Sequence, residues 1–140
     1  MAVKEIVKDL EFLSQKSEKA DHKSKETQEV IRDLIDTAEH HKDRCVGLSA
    51  IQIGVPLRIC VVYNGERYIP FVNPLITKTY GEKYEAEEGC MSLDGTRTVM
   101  RHDKISIIRR SGNGFAKEHF RGYMAEILQH ELDHFEGKLI

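Results

Sequence analysis

Residues 122–135 read GYMAEILQHELDHF, and this stretch decides how the chain is to be read. Met124, Ile127, Leu128, Leu132 and Phe135 recur at the three-to-four-residue spacing of one helical face. Gly137 follows where a helix stop is expected. On such a helix His130 and His134 lie one turn apart on the same side. The run His130-Glu131-Leu132-Asp133-His134 is thus an H-E-x-x-H motif. Both imidazoles can grip one cation, and Glu131 beside them can reach a bound water.

Upstream of this helix the pattern changes. RICVVY (58–63), RYIPFV (67–72), LITKTY (75–80), KYEAEE (83–88), KISIIRR (104–110) and FAKEHF (115–120) are short β-rich runs separated by Gly, Asn and Asp. Before them, a second amphipathic helix is expected over 27–41. Val30, Ile31, Leu34, Ile35 and Ala38 form its apolar stripe, and Arg32, Asp33, Asp36 and Glu39 are expected to face water. Residues 15–26 are charged and nearly devoid of apolar side chains, as in an exposed loop. Val3, Ile6, Val7, Leu10 and Leu13 fit a helix, and equally a short strand followed by a helical turn. Helix, many strands, helix is an α+β pattern rather than alternating βαβ.

The 140 residues suffice for one domain spanning 1–140. Apolar residues make up 40% and charged residues 31%, the balance of a soluble globular chain and not of a low-complexity one. With 21 basic and 23 acidic residues the net charge is −2, so no basic field points to nucleic acid or to an anionic membrane. Cys45, Cys60 and Cys90 are too few for a disulfide scaffold. Charges interrupt the apolar residues of the N-terminus, unlike a signal peptide. The longest apolar run, 59–63, is far short of a bilayer span. A reducing cytosol is the expected compartment.

Two histidines do not complete a catalytic metal site, which takes three protein ligands and one open position. Cys90, in Glu87-Glu88-Gly89-Cys90-Met91-Ser92, is the candidate third ligand. By spacing alone it fits a ligand and a buried structural thiol equally well, whereas Cys60 in its apolar run reads as buried. A third stretch, Val46-Gly47-Leu48-Ser49-Ala50-Ile51-Gln52-Ile53-Gly54, surrounds a glutamine with small residues. Gln52 fits an amide donor facing a reacting carbonyl, and also an exposed residue in a tight turn.

Taken together and in order, the three stretches resemble peptide deformylase. That family carries Gly-Φ-Gly-Φ-Ala-Ala-x-Gln, then Glu-Gly-Cys-Φ-Ser, then Gln-His-Glu-Φ-Asp-His-x-x-Gly, where Φ is apolar. This chain has Cys45 to Gln52, Glu88 to Ser92 and Gln129 to Gly137 at the matching places. The resemblance implies antiparallel sheets wrapped around a central helix that carries the H-E-x-x-H motif. It implies removal of the N-formyl group from the initiator methionine of nascent bacterial or organellar polypeptides, releasing formate.

The resemblance also assigns roles. Cys90, His130 and His134 would hold a divalent ion, iron(II) by preference, with zinc, nickel or cobalt able to substitute. Such an ion lowers the pKa of its water toward about 7, so that a hydroxide attacks the formyl carbon. Glu131 would be the general acid/base. The Gln52 amide and the Met91 backbone N–H would stabilise the developing oxyanion. Val46, Gly47, Gly89, Tyr123 and Ile127 would line the substrate site, although for Ile127 plain core packing fits as well. Arg97 reads either as a substrate-side residue or as an exposed strand end. Asp133 reads either as orienting a ligand or as a solvent-facing or Arg-paired carboxylate. Nascent chains and a transient ribosome contact are the implied partners, in the bacterial cytoplasm.

Two departures stand out. Cys45 replaces the family's first glycine, where a side chain is expected to crowd the substrate space. Ser49 replaces an alanine, a mild change. The sequence also ends three residues past Gly137, without the longer C-terminal segment of many relatives, which leaves the implied ribosome contact without that support. Cys45 motivates a rival reading as a paralogue of weak activity or with another N-acylated substrate. A non-catalytic metal-binding domain is the third reading, but it would need neither Glu131 nor Gln52.

Overall fold

The computed structural model describes residues 2–140. Residues 2–9 form neither helix nor strand; Val7 N–H donates to the Gln52 carbonyl at 2.8 Å. A one-turn helix α1 (Leu10–Leu13) follows, capped by the Asp9 carboxylate. Of the two expectations for this segment, only the helical turn is present. Helix α2 (Lys25–His40) starts two residues earlier than the periodicity suggests, because Ser24 Oγ accepts the Thr27 N–H at 3.1 Å. Val30, Leu34 and Ala38 are buried as expected, while Ile31 and Ile35 are half-buried. Asp33 departs from expectation: it is half-buried and accepts the Ala2 N–H at 2.9 Å, which ties the N-terminal segment to α2. The loop before α2 is not wholly exposed either. Ser17 and Ala20 are buried, and the Asn73 side chain bonds both the N–H and the carbonyl of Ala20.

Two three-stranded antiparallel sheets make up the rest. The first is β1 (Gly47–Ser49), β2 (Ile59–Tyr63) and β3 (Tyr68–Val72), with a 3₁₀ turn Ala50–Ile53 between β1 and β2. The second is β4 (Leu75–Cys90), β5 (Leu93–Ser111) and β6 (Gly114–Arg121). The runs 75–80 and 83–88 are therefore one strand. The register shifts between Tyr80 and Lys83, and Gly81 takes φ +75° there, so the glycine that reads as a separator is a bulge inside β4.

Helix α3 (Gly122–Phe135) lies between the sheets, packing on β1 and β2 of one and on β5 and β6 of the other. Strand β2 explains why. Ile59 and Val61 pack into a cluster with Val30, Leu34 and Ala38 of α2. Cys60 and Val62, on its other face, join Ala125, Ile127, Leu128 and Phe135 of α3 together with Ile105 and Ile107 of β5. Burial on both faces is why 59–62 is an unbroken apolar run rather than an alternating one. Two residues past the end of α3, Gly137 takes φ +78°, and a Cβ there would run into the Ser14 carbonyl.

Candidate metal centre

The helical spacing of His130 and His134 brings their Nε2 atoms to 3.1 Å. Cys90 ends β4, and its Sγ lies 3.5 Å from His134 Nε2. One ligand atom from each of the three residues falls within a 4.8 Å cluster. A tetrahedral ion with bonds of about 2.0–2.3 Å sets its donors about 3.3–3.6 Å apart. The cluster fits an ion of that size, and one thiol with two imidazoles is a borderline-soft set suited to a first-row divalent cation.

Neighbouring groups fix the orientation of each donor. His130 Nδ1 bonds Glu88 Oε1 at 2.8 Å, which turns its Nε2 toward the cluster. Arg101 of β5 grips both Glu88 oxygens, at 2.9 and 2.6 Å, and reaches Asp133 Oδ2 at 2.6 Å with its other nitrogen. The Arg101 and His130 bonds overcome the cost of burial and hold Glu88 down at about 2. Against the cost of burial, bonds to Cys90 and Glu88 push His130 up to about 10. Burial and the neighbouring His130 hold His134 down at about 3.

Glu131 is buried beside the cluster, and burial pushes its carboxyl up. Ser49 Oγ lies 2.8 Å from Glu131 Oε1 and 3.0 Å from the Glu131 carbonyl, bridging β1 to α3. The replacement of alanine by serine is therefore not a mild change: the hydroxyl holds the carboxyl of Glu131. Opposite, Gly47 makes room. A Cβ there would stand 2.7 Å from Glu131 Oε2 and 2.8 Å from Ile127 Cγ2.

Gln52 sits in the 3₁₀ turn and is buried, not exposed in a loop. Its Oε1 accepts the Ser49 N–H at 3.0 Å, and its Nε2 donates to Cys90 Sγ at 3.3 Å and to Ser92 Oγ at 3.2 Å. The amide is thus braced against the thiol. Met91 follows Cys90 in the turn into β5, half-buried against the first cluster.

A cleft of about 640 Å³ opens onto Cys90, Gln52, His130 and Glu131. Val46, Gly47, Gly89, Tyr123 and Ile127 all line it, as does Met91. Ile127 is 5% exposed and belongs to the core while it also borders the cleft. Sequence reasoning missed Ser49, Arg101 and Glu126. The last of these lines the cleft between Tyr123 and Ile127. Its signal was its place one turn before His130 in the motif helix. Arg97 does not reach the cleft but bonds the Asp94 and Gly95 carbonyls of its own hairpin. Asp133 is the Arg-paired carboxylate. Cys45 lines the cleft, yet it is 2% exposed, packs in the first cluster and directs its thiol to the Gly47 carbonyl at 3.4 Å.

Fold and site together define an α+β protein with a cysteine and two histidines clustered on an H-E-x-x-H helix between antiparallel sheets. The family model for polypeptide deformylase matches residues 3–140, and the chain belongs to that family. It is 45% identical to a peptide deformylase of Clostridium beijerinckii over 139 residues, 99% of each chain. The crystal structure of a peptide deformylase from Legionella pneumophila superposes with TM-score 0.86 at 35% identity, covering 99% of this chain and 83% of that one. That of the Thermotoga maritima enzyme gives 0.90 at 27%, covering 99% and 95%.

Proposed function

We propose that this chain hydrolyses the N-formyl group of methionine-initiated nascent polypeptides, and that the reaction takes place at the Cys90–His130–His134 centre. The observation that carries this reading is the meeting of those three donors with a buried carboxyl, Glu131, held in place by Ser49. When bound, a divalent cation supplies Lewis acidity and lowers the pKa of its water from 15.7 toward about 7. The donor set suits iron(II), zinc, nickel and cobalt alike, and the resemblance to the family favours iron(II) among them.

Glu131 does the proton work. Ser49 holds Oε1, so Oε2, on the Gly47 side, takes the proton of the attacking water. The water oxygen bonds to the formyl carbon, and the C–N bond then breaks. Glu131 returns its proton to the departing nitrogen, leaving formate and a free α-amine. Burial that raises the Glu131 carboxyl brings its proton affinity closer to what both transfers need. Gln52 Nε2, beside Cys90 Sγ, and the Met91 N–H serve the growing charge on the formyl oxygen. Each such donor is worth about 10²–10³ in rate. The first side chain of the substrate lies along Ile127 and Tyr123, and its backbone runs along Gly89 and the loop at Val46 and Gly47.

A nascent-chain substrate places the protein in the bacterial cytoplasm, with transient ribosome contact, as one domain over 1–140. No helix among the described residues is long and apolar enough to cross a membrane. The test is anaerobic loading with iron(II) or nickel and assay of formate release from formyl-Met-Ala-Ser. Turnover is expected; none at full metal occupancy would remove the reading.

A further inference from the structure

On the far side of the Gly81 bulge from Cys90, the second sheet turns one face to the core through Ile105 and Ile107. The alternate residues of β5 point the other way, out of the molecule. Across β5 and β6, this outer face pairs Lys104 with Arg121, Ser106 with His119, and Arg110 with Phe115. Lys117 stands opposite Ile108. Strand β4 adds Lys78 beside Ser106 and Tyr80 beside Lys104. None of the residues paired on this face is Asp or Glu.

That bias works against the fold. Lys104 and Arg121 are directly opposite, and like charges so placed destabilise a sheet. Arg109, on the core side of β5, has Glu118 as its partner. Among the described residues, Lys78, Lys104, Lys117 and Arg121 have no carboxylate partner, and Arg110 bonds His22. Past the bulge the same face turns acidic, with Glu85 opposite Met100 and Glu87 opposite Thr98. A net charge of −2 excludes a positive field around the whole chain, but here the positive charge is gathered on one half of one sheet face.

Two rings stand among these cations. Arg110 Cζ lies 4.7 Å from the Phe115 ring centroid, and Lys78 Nζ lies 4.9 Å from that of Tyr80. Phe115 is 66% exposed. A cation for a phosphate next to a ring face for a base is what a single strand of nucleic acid requires. His119 is exposed, and its Nδ1 bonds Ser106 Oγ at 2.7 Å. Its Nε2 is left for a ligand group such as a ribose 2′-hydroxyl. The rings carry cations against their faces instead of standing clear as apolar wedges, which favours stacking over insertion into a lipid layer.

We propose that the outer face of β4, β5 and β6 binds single-stranded RNA. Lys104, Lys117 and Arg121 meet phosphates, and Phe115 and Tyr80 stack on bases. RNA is the polyanion that accompanies a nascent chain, and in that choice the proposal rests on the deformylase reading. From Lys78 to Cys90 strand β4 runs roughly 40 Å, so bound RNA leaves the cleft open.

The experiment measures fluorescence anisotropy of a labelled oligouridylate of about 12 nucleotides against the metal-loaded full chain. Binding is expected at low salt. It should weaken as salt rises, with a log–log slope of about −2 to −3, the value for about three to four phosphate contacts on a single strand. Lys117→Glu combined with Arg121→Glu is expected to weaken it by about tenfold or more. Phe115→Ala is expected to weaken it by about fivefold or more. These side chains are exposed and lie outside the cleft, so formate release from formyl-Met-Ala-Ser should be unchanged in both variants, which also checks their folding. No binding at low salt, or binding unaltered in both variants, overturns the proposal and leaves the deformylase reading standing. An oligodeoxyuridylate bound as tightly, or phosphatidylglycerol vesicles bound in preference, overturns the assignment to RNA. Absence of formate from the loaded wild type sinks the deformylase reading and leaves the binding measurement untouched.

Discussion

Gly47→Ala adds one methyl group at the tightest point of the cleft. Its Cβ would stand 2.7 Å from Glu131 Oε2 and 2.8 Å from Ile127 Cγ2, where ordinary contact begins near 3.4 Å. Something must therefore yield by roughly 0.6–0.7 Å. Gly47 is paired with Val62 in the sheet, and its φ is not left-handed, so alanine brings a clash without backbone strain. Ile127 is a core residue on α3 and gives little. Glu131 is the movable partner, but its other oxygen is bonded to Ser49. Displacing that carboxyl by most of an ångström should cost about 10²-fold in kcat, the usual penalty for a misplaced catalytic group. The folded state should lose only about 1–3 kcal/mol from overpacking. Because the atoms nearest the new methyl belong to Glu131 and Ile127 rather than to Cys90, His130 or His134, metal content should be unchanged. The assay is formate release at matched metal occupancy, with thermal melting as the fold control. Activity within threefold of wild type, with metal bound, would refute the placement of the working oxygen against Gly47.

Three further outcomes are expected. Glu131→Ala should keep its metal yet lose most turnover in the same assay; retained activity would contradict its proton role. Arg101→Ala leaves the buried Glu88 carboxylate without its main partner, which should cost about 3–5 kcal/mol in denaturant unfolding. It should also weaken metal binding about 10–100-fold in chelator competition, because Glu88 orients His130. Burial pushes the Cys45 thiol up to about 12, so a thiol-alkylating reagent near neutral pH should leave it unmodified in the folded protein, as peptide mass mapping would show. Cys45→Gly should accordingly leave formate release unchanged; a large loss would show a positive function for the thiol.

The motif helix was legible to the residue, since α3 spans 122–135 as its apolar period indicates. The reason is that one of its sides is core and the other is site, so both constraints are written in the same period. The six β runs were found, but not the joining of two of them through Gly81. A bulge and a turn use the same residue for the same conformational reason, and only pairing with β5 separates them. The N-terminal residues could not be read because their partners, Asp33, Thr37 and Gln52, lie 31 or more positions away. At the site, the donors were recognisable by type and spacing, while their supports were not. Ser49 looks like a small residue in a tight loop and Arg101 like a surface charge. Each acquires its meaning from a carboxylate brought in by another element.

Strand β2 has no wet side, so neither half of the molecule can come apart privately. Peeling α2 away uncovers Ile59 and Val61, and lifting α3 uncovers Cys60 and Val62, so each half holds down the opposite side of the same five-residue ribbon. Heat should accordingly meet a single cooperative transition rather than two steps. A methyl group shaved from either side of that ribbon will then be felt by the helix that carries His130 and His134, with nothing in the cleft having been touched.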